Sequence, residues 1–246
     1  MDSPALLSSL AADGAALADA AGGHLDRPVG TCPEWTVQQL VAHVGTVHAW
    51  VCATVAAGGE RVSFSQANPA PEDQAALLPW FRSGVDRLVT ALSVDPETPA
   101  WTFSPHAPDN VGWWQRRQAL ETAVHRWDAQ SAAGTDPLVP IDPQLAVEGV
   151  DELLVEFLPG LLEANPGAGL QGTFHLHATD TPGEWWLDFG AAGLDTRREH
   201  AKADTAVRGP ASSLYLWLWN RQSPEEAGLE VFGRPETVAA WRSIRI

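Results

Sequence analysis

Glu121-Thr122-Ala123-Val124-His125-Arg126-Trp127-Asp128 lies inside a run with helical period from about residue 113 to 133. Side chains four positions apart on a helix stand one turn above each other on one face. Glu121 and His125 can therefore direct their ligand atoms at one point, with Asp128 on the same side. On a helical wheel Trp113, Leu120, Ala123, Val124 and Trp127 form an apolar stripe, and Glu121, His125, Asp128 and Trp114 form a second stripe beside it. The spacing thus predicts ionisable groups at the edge of a core. Glu and His four apart also occur on ordinary solvated helix faces, so a third donor from elsewhere in the chain is needed before the pair becomes a metal site.

Working back from this helix, three more segments have the apolar period of helices. Leu6, Leu7, Leu10, Leu17 and Ala21 mark the first, over residues 4–21, with Gly14 weakening its middle and Gly22-Gly23 ending it. Thr36 is placed as N-cap of the second, over residues 37–57, whose buried face is Val37, Val41, Val44, Val51 and Val55. His48 falls within that face and reads first as a hydrogen-bonded core residue, whereas His43 on the flank, near Val47 and Trp50, is better placed to reach another helix. Leu77, Leu78, Phe81, Val85, Leu88, Val89 and Leu92 define the third, over residues 71–92, with a kink or late start expected at Pro79. Residues 58–70 read as a loop, and residues 96–112 as a long irregular connection carrying Trp101, Phe103 and His106. Four amphipathic helices with long second and third connections predict a four-helix bundle, an architecture that builds metal sites from facing helices.

Composition bounds the functions open to such a chain. With 31 acidic and 15 basic side chains among 246 residues, the formal net charge of −16 repels nucleic acid and anionic membrane surfaces, so neither is expected as a partner. Asp2 stands where a secretory leader would carry basic residues, and no 18 apolar residues run together, so a cytoplasmic protein is expected. Cys32 and Cys52 match neither a redox pair nor a zinc knuckle, and thiol chemistry here requires a thiol from outside. Twelve tryptophans call for large buried surfaces or an aromatic pocket.

The proline-rich stretch over residues 134–143 reads as a linker, giving domains over 1–138 and 139–246. After it come a helix over 144–158 that stops before Pro159, a hairpin of strands 172–178 and 185–189, and a short strand 205–208. A Leu/Trp helix follows Gly209-Pro210, then a strand over 229–232 and a helix over 235–241, an α+β arrangement. His175 and His177 alternate on one strand and share a face. With no third ligand evident they read as polar residues on the solvated side of the hairpin.

Three stretches carry a family resemblance: Cys32-Pro33-Glu34-Trp35-Thr36-Val37 leading into Leu40-Val41-Ala42-His43-Val44-Gly45, the Glu121 to Asp128 stretch, and Ala206-Val207-Arg208-Gly209-Pro210. Nearly the whole chain resembles the mycothiol-dependent maleylpyruvate isomerase family of actinobacteria, in which a DinB-like metal-binding four-helix bundle precedes a smaller α+β domain. That second half also resembles sterol-carrier-like domains. The resemblance implies that His43, Glu121 and His125 bind a divalent metal, usually zinc, with an open fourth position, as in a catalytic site. It implies an arginine of the second half, Arg221 or Arg208, as the cation for the substrate. Glu34 stands where the family pattern commonly has glycine and would add a carboxylate at the pocket mouth. Asp128 reads as the acceptor that orients a ligand histidine, and His48 and Trp50 as pocket neighbours.

The implied chemistry is thiol-dependent. Coordination to zinc deprotonates a thiol whose free pKa is about 8.5, and the thiolate attacks a small electrophile. In the reaction that gives the family its name, it adds to a cis double bond conjugated to a carbonyl; the single bond rotates, and elimination gives the trans product. S-transferases stop after addition or displacement. A Lewis-acid enzyme without a thiol and a small-molecule carrier are the alternatives, and a monomer or small homo-oligomer is expected.

Overall fold

The computed structural model describes residues 1–105, 107–165, 169–190 and 193–244, so His106 lies outside the described residues. The chain divides into two compact units, Met1–Val139 and Pro140–Ile246.

In the first unit each helix starts where a side chain can satisfy free amide groups. Asp2 accepts from the Ala5 amide at 3.0 Å to open α1 (Ser3–Ala21). Thr36 and Gln39 form a reciprocal capping box at the head of α2 (Val37–Ala56). Asp73 opens α3 (Gln74–Leu92), and Asn110 opens α4 (Val111–Ala133). The Asp73 cap sets the start of α3 later than residue 71, and the helix runs through Pro79 from there, so no late start at the proline is observed. A short 3-10 turn, Phe64–Gln66, interrupts the loop after α2. α2 is long and apolar enough to cross a membrane, but its Val37, Leu40, Val41 and Val44 are buried in the bundle core. That core continues through Leu17, Ala18, Leu77, Phe81 and Val85.

Two glycines explain how closely the helices approach. A Cβ on Gly14 would lie 2.8 Å from the Val85 methyl groups, so the residue that weakens α1 as an isolated helix lets α3 pack against it. A Cβ on Gly45 of α2 would come within 2.2 Å of the Trp80 ring.

α4 departs from the amphipathic reading. Gln115, Arg117, Gln118, Thr122, Asp128 and Gln130 are buried together with Trp113, Leu120 and Trp127, and α1, α2 and α3 all contact the helix. Arg117, His125, Arg126 and Asp128 are therefore buried, whereas Arg116 and Glu121 remain partly exposed. Such burial holds only when polar atoms find partners. Gln115 donates to the Leu92 carbonyl at 2.9 Å, and Arg126 donates to Asp13 and Gln130, each at 2.9 Å, and to the Val139 carbonyl.

The second unit opens with α5 (Pro143–Glu152), capped by Asp142. A π turn, Leu153–Phe157, leads into α6 (Leu158–Ala164). The helical path thus continues past Pro159, which occupies the first turn of α6, where its missing amide costs least. Strands β1 (Gly172–Ala178), β2 (Glu184–Gly190), β3 (Gly193–Arg197), β4 (Thr205–Gly209) and β5 (Glu230–Gly233) form one sheet in the order β3-β2-β1-β4-β5. Among the described residues, β1 and β4 pair in parallel and the other three pairs are antiparallel. α7 (Ala211–Leu218) and α8 (Pro235–Trp241) complete the unit. Phe174, Leu176, Trp185, Leu187 and Val207 are buried with Tyr215, Trp217 and Trp241. β3 goes unread in the sequence because Gly193, Asp195 and Arg197 are exposed and Leu194 and Thr196 are only half-buried, too weak an alternation to mark a strand.

Candidate metal centre

The loop before α2 folds back on itself. The Val29 amide donates to the Trp35 carbonyl at 2.9 Å, and the Val37 amide to the Arg27 carbonyl at 2.9 Å. This brings Thr31 to α4, where its hydroxyl donates to Asp128 Oδ1 at 2.7 Å. It also lays the Trp35 ring 4.7 Å from the His43 ring and 6.4 Å from that of His125, centroid to centroid.

On α4, Arg117, Glu121 and His125 follow one another at intervals of four. The Arg117 guanidinium donates to Glu121 Oε2. The other carboxylate oxygen, Oε1, lies 3.3 Å from His125 Nε2 and 3.6 Å from His43 Nε2. His125 Nδ1 donates to Asp128 Oδ2 at 2.9 Å, and Asp128 is fully buried. Each candidate donor atom on α4 is thus aimed by a partner behind it: Oε1 because Oε2 is held, Nε2 because Nδ1 is held.

The charges agree with this geometry. Burial alone would favour a neutral Glu121, yet Arg117 and His125 hold its carboxyl well below the usual carboxylate range. Burial likewise opposes a charge on His125, but Glu121 and Asp128 outweigh it and raise the pKa to about 9. Cation binding at His125 Nε2 therefore competes with protonation of that nitrogen. Ligand atoms of His43, Glu121 and His125 lie within 4.8 Å of one another. Two imidazole nitrogens and a carboxylate oxygen, each with its remaining polar atom free or already satisfied, fit a zinc-class divalent ion with a position left for an external ligand. The His43 side chain is 35% exposed against 10% for His125, so the point of convergence opens on the α2 side.

Other residues singled out in the sequence lie elsewhere. His48 is fully buried, stacks on Phe81 and has Nε2 3.0 Å from the Thr122 hydroxyl. Burial lowers its pKa from 6.5 to about 4. The folded state therefore prefers neutral His48: the stability this lends is complete above pH 6.5 and is lost as pH falls toward 4. A shift of that size corresponds to about 3 kcal/mol. In metal-free protein, the urea midpoint of His48→Gln should fall less steeply than that of the wild type between these pH values. Equal slopes would remove His48 from the account.

Trp50 donates to the Val62 carbonyl at 2.9 Å and belongs to an aromatic cluster with Phe64, Trp101, Phe103 and Trp114. Glu34 is exposed in the turn before Trp35. In the second unit Arg208 is half-exposed and pairs with Glu230 at 3.5 Å, while Arg221 donates to the Trp219 carbonyl at 2.9 Å. His175 is only 7% exposed, which corrects its reading as a residue of a solvated face; His177 is more open. The sequence reading overlooked Arg117, Thr31 and Trp35. Arg117 was within reach, since it continues the interval of four that joins Glu121 to His125, but Thr31 and Trp35 depend on a loop path that no local pattern encodes.

Two family models match the chain, described as the mycothiol maleylpyruvate isomerase N-terminal domain over residues 4–130 and the MDMPI C-terminal domain over residues 144–240. No curated protein matches it. Among solved structures, a histidine-to-alanine mutant of a mycothiol-dependent maleylpyruvate isomerase aligns at 11% identity with a TM-score of 0.61, covering 94% of this chain and 93% of its own. A second structure titled as that isomerase aligns at 12% identity with a TM-score of 0.60, covering 91% of each chain. A structure titled UbiJ-SCP2 ubiquinone synthesis protein covers 41% of this chain and 93% of its own at 21% identity, with a TM-score of 0.33. At these identities the two isomerase structures show a shared fold, helical bundle followed by small mixed sheet.

Proposed function

Because the chain belongs to the mycothiol maleylpyruvate isomerase family, we propose that it is a thiol-dependent enzyme that isomerises or S-conjugates a small electrophile at a divalent metal held by His43, Glu121 and His125. The observation that carries this reading is the convergence of those three ligand atoms within 4.8 Å, each α4 ligand backed by its own partner. A zinc-class cation bound there would supply the charge that brings an external thiol, with a free pKa of about 8.5, to thiolate at neutral pH.

The chain's own residues do the rest. Glu121, kept ionised by Arg117, offsets the charge of a cation at this point. Asp128 holds His125 in the tautomer that presents Nε2. The Trp35 ring against His43 covers one side of the ligand cluster and limits water there. A thiolate delivered at this point adds to a double bond conjugated to a carbonyl, and the negative charge moves to the carbonyl oxygen. Rotation about the resulting single bond, followed by expulsion of the thiolate, gives the trans product, whereas a transferase retains the new carbon–sulfur bond. Arg221 and Arg208 are the proposed partners for the substrate carboxylate or enolate.

Metal analysis of the purified protein, followed by calorimetric titration with mycothiol and a plain thiol control, tests the reading. Metal-dependent mycothiol binding is the expected result, and Arg221→Ala should keep that binding while losing turnover. Zinc without thiol binding would replace the proposal with Lewis-acid chemistry, and a protein that cannot be loaded with metal would replace it with a carrier.

A further inference from the structure

The C-terminal sheet carries a second cluster of ligand-bearing side chains on the face opposite its buried core. Alternation along β1 puts Phe174, Leu176 and Ala178 on the buried face and His175 and His177 on the other. The antiparallel register sets Glu184 of β2 opposite His177 and Trp186 opposite His175, so all four side chains share that face. The connection from β3 to β4 then returns His200 to the same place, its ring centroid 5.0 Å from that of His175. The Trp186 indole donates to the Lys202 carbonyl at 3.3 Å, which fastens this connection over the sheet.

At the centre is the Glu184 carboxylate. Its Oε1 accepts from His177 Nδ1 at 2.6 Å, and its Oε2 accepts from His200 Nδ1 at 2.9 Å. His175 Nε2 lies 3.7 Å from the same Oε2, too far for a hydrogen bond, and has no hydrogen-bond partner among the described residues. His175 is also more than nine-tenths buried. A buried imidazole nitrogen without a partner, aimed at an ionised carboxylate, is costly as it stands. A cation between the two removes that cost, because both atoms then act as ligands.

We propose that His175 Nε2, Glu184 Oε2 and His200 Nδ1 form a second divalent-cation site, with His177 positioning the carboxylate through Oε1. One ligand atom from each of His175, Glu184 and His200 lies within 4.8 Å of the other two. Two imidazoles and one carboxylate select a zinc-class ion over magnesium or calcium, which take all-oxygen shells. Arg208 neighbours His177 in the β1–β4 register, but its guanidinium pairs with Glu230 on the far strand. The ion would clamp the β3–β4 connection to β1. The site lies wholly within the second unit and does not depend on the reading of the bundle.

Zinc titration of the metal-free full-length protein by calorimetry decides the matter. Wild type should take up two equivalents, His125→Ala one, His200→Ala one, and the double variant none. The His200 side chain is 77% exposed, so its removal does not threaten folding, and Glu184→Gln should repeat its loss of one equivalent. If His125→Ala binds no zinc while wild type binds one, or if His200→Ala and Glu184→Gln bind as much as wild type, the second site is overturned. If His125→Ala still binds two equivalents and His200→Ala loses one, the second site stands and the bundle assignment fails.

Discussion

His125→Ala should bind zinc at the bundle site more than about 100-fold more weakly than the wild type, beyond the 10- to 100-fold that loss of a residue behind a ligand typically costs. Turnover should fall with it. The substitution removes one of three candidate donors and leaves Glu121 and His43, which come from two helices and with which no further His, Cys, Asp or Glu clusters among the described residues. Asp128→Asn gives the graded comparison. It keeps the buried volume and the contact to Thr31 but weakens the hold on His125 Nδ1, and should fall within the 10- to 100-fold range. Competitive titration against a zinc indicator measures both. Undiminished affinity in His125→Ala would show that the ion is held elsewhere.

Arg117→Ala should lower the stability of the metal-free protein by up to about 3–5 kcal/mol, the cost of breaking a buried ion pair, with His125 left as the remaining charge partner of Glu121. Both side chains are mostly enclosed, Arg117 at 9% and Glu121 at 15% exposure, so solvent screens the pair little. Zinc should return part of that loss, because the cation takes over the compensation of Glu121. Urea unfolding with and without zinc measures the two quantities. A loss under about 1 kcal/mol would place this pair among ordinary exposed ion pairs.

The bundle was readable because its signals are local: apolar residues at helical period, Thr36 as a cap, and glycines after α1 and α4. Glu121 and His125 were readable for the same reason, being one turn apart on one helix. His43 needed more, since on the wheel it is only a flank residue, and its assignment came from family resemblance. What the sequence concealed was long-range. Thr31 reaches Asp128 across 97 positions, and His200 reaches Glu184 across 16. The polar character of α4 pointed to the edge of a core because a helix with so many glutamines, arginines and acids is usually half-exposed, and only the assembled bundle shows that most of its polar side chains are buried. The same error of inference made His175 look solvated, when a connection with no strong pattern of its own folds over it.

The enclosure of α4 bears on how proteins of this design can diversify. A helix covered on all sides has almost no position at which a side chain can change without disturbing either packing or an internal hydrogen bond. Random mutagenesis should therefore recover few neutral substitutions between Trp113 and Gln130. Tolerated changes should instead gather in the connections, where exposed Phe64 and Phe103 stand beside Trp50 and can be exchanged while α4 stays unchanged.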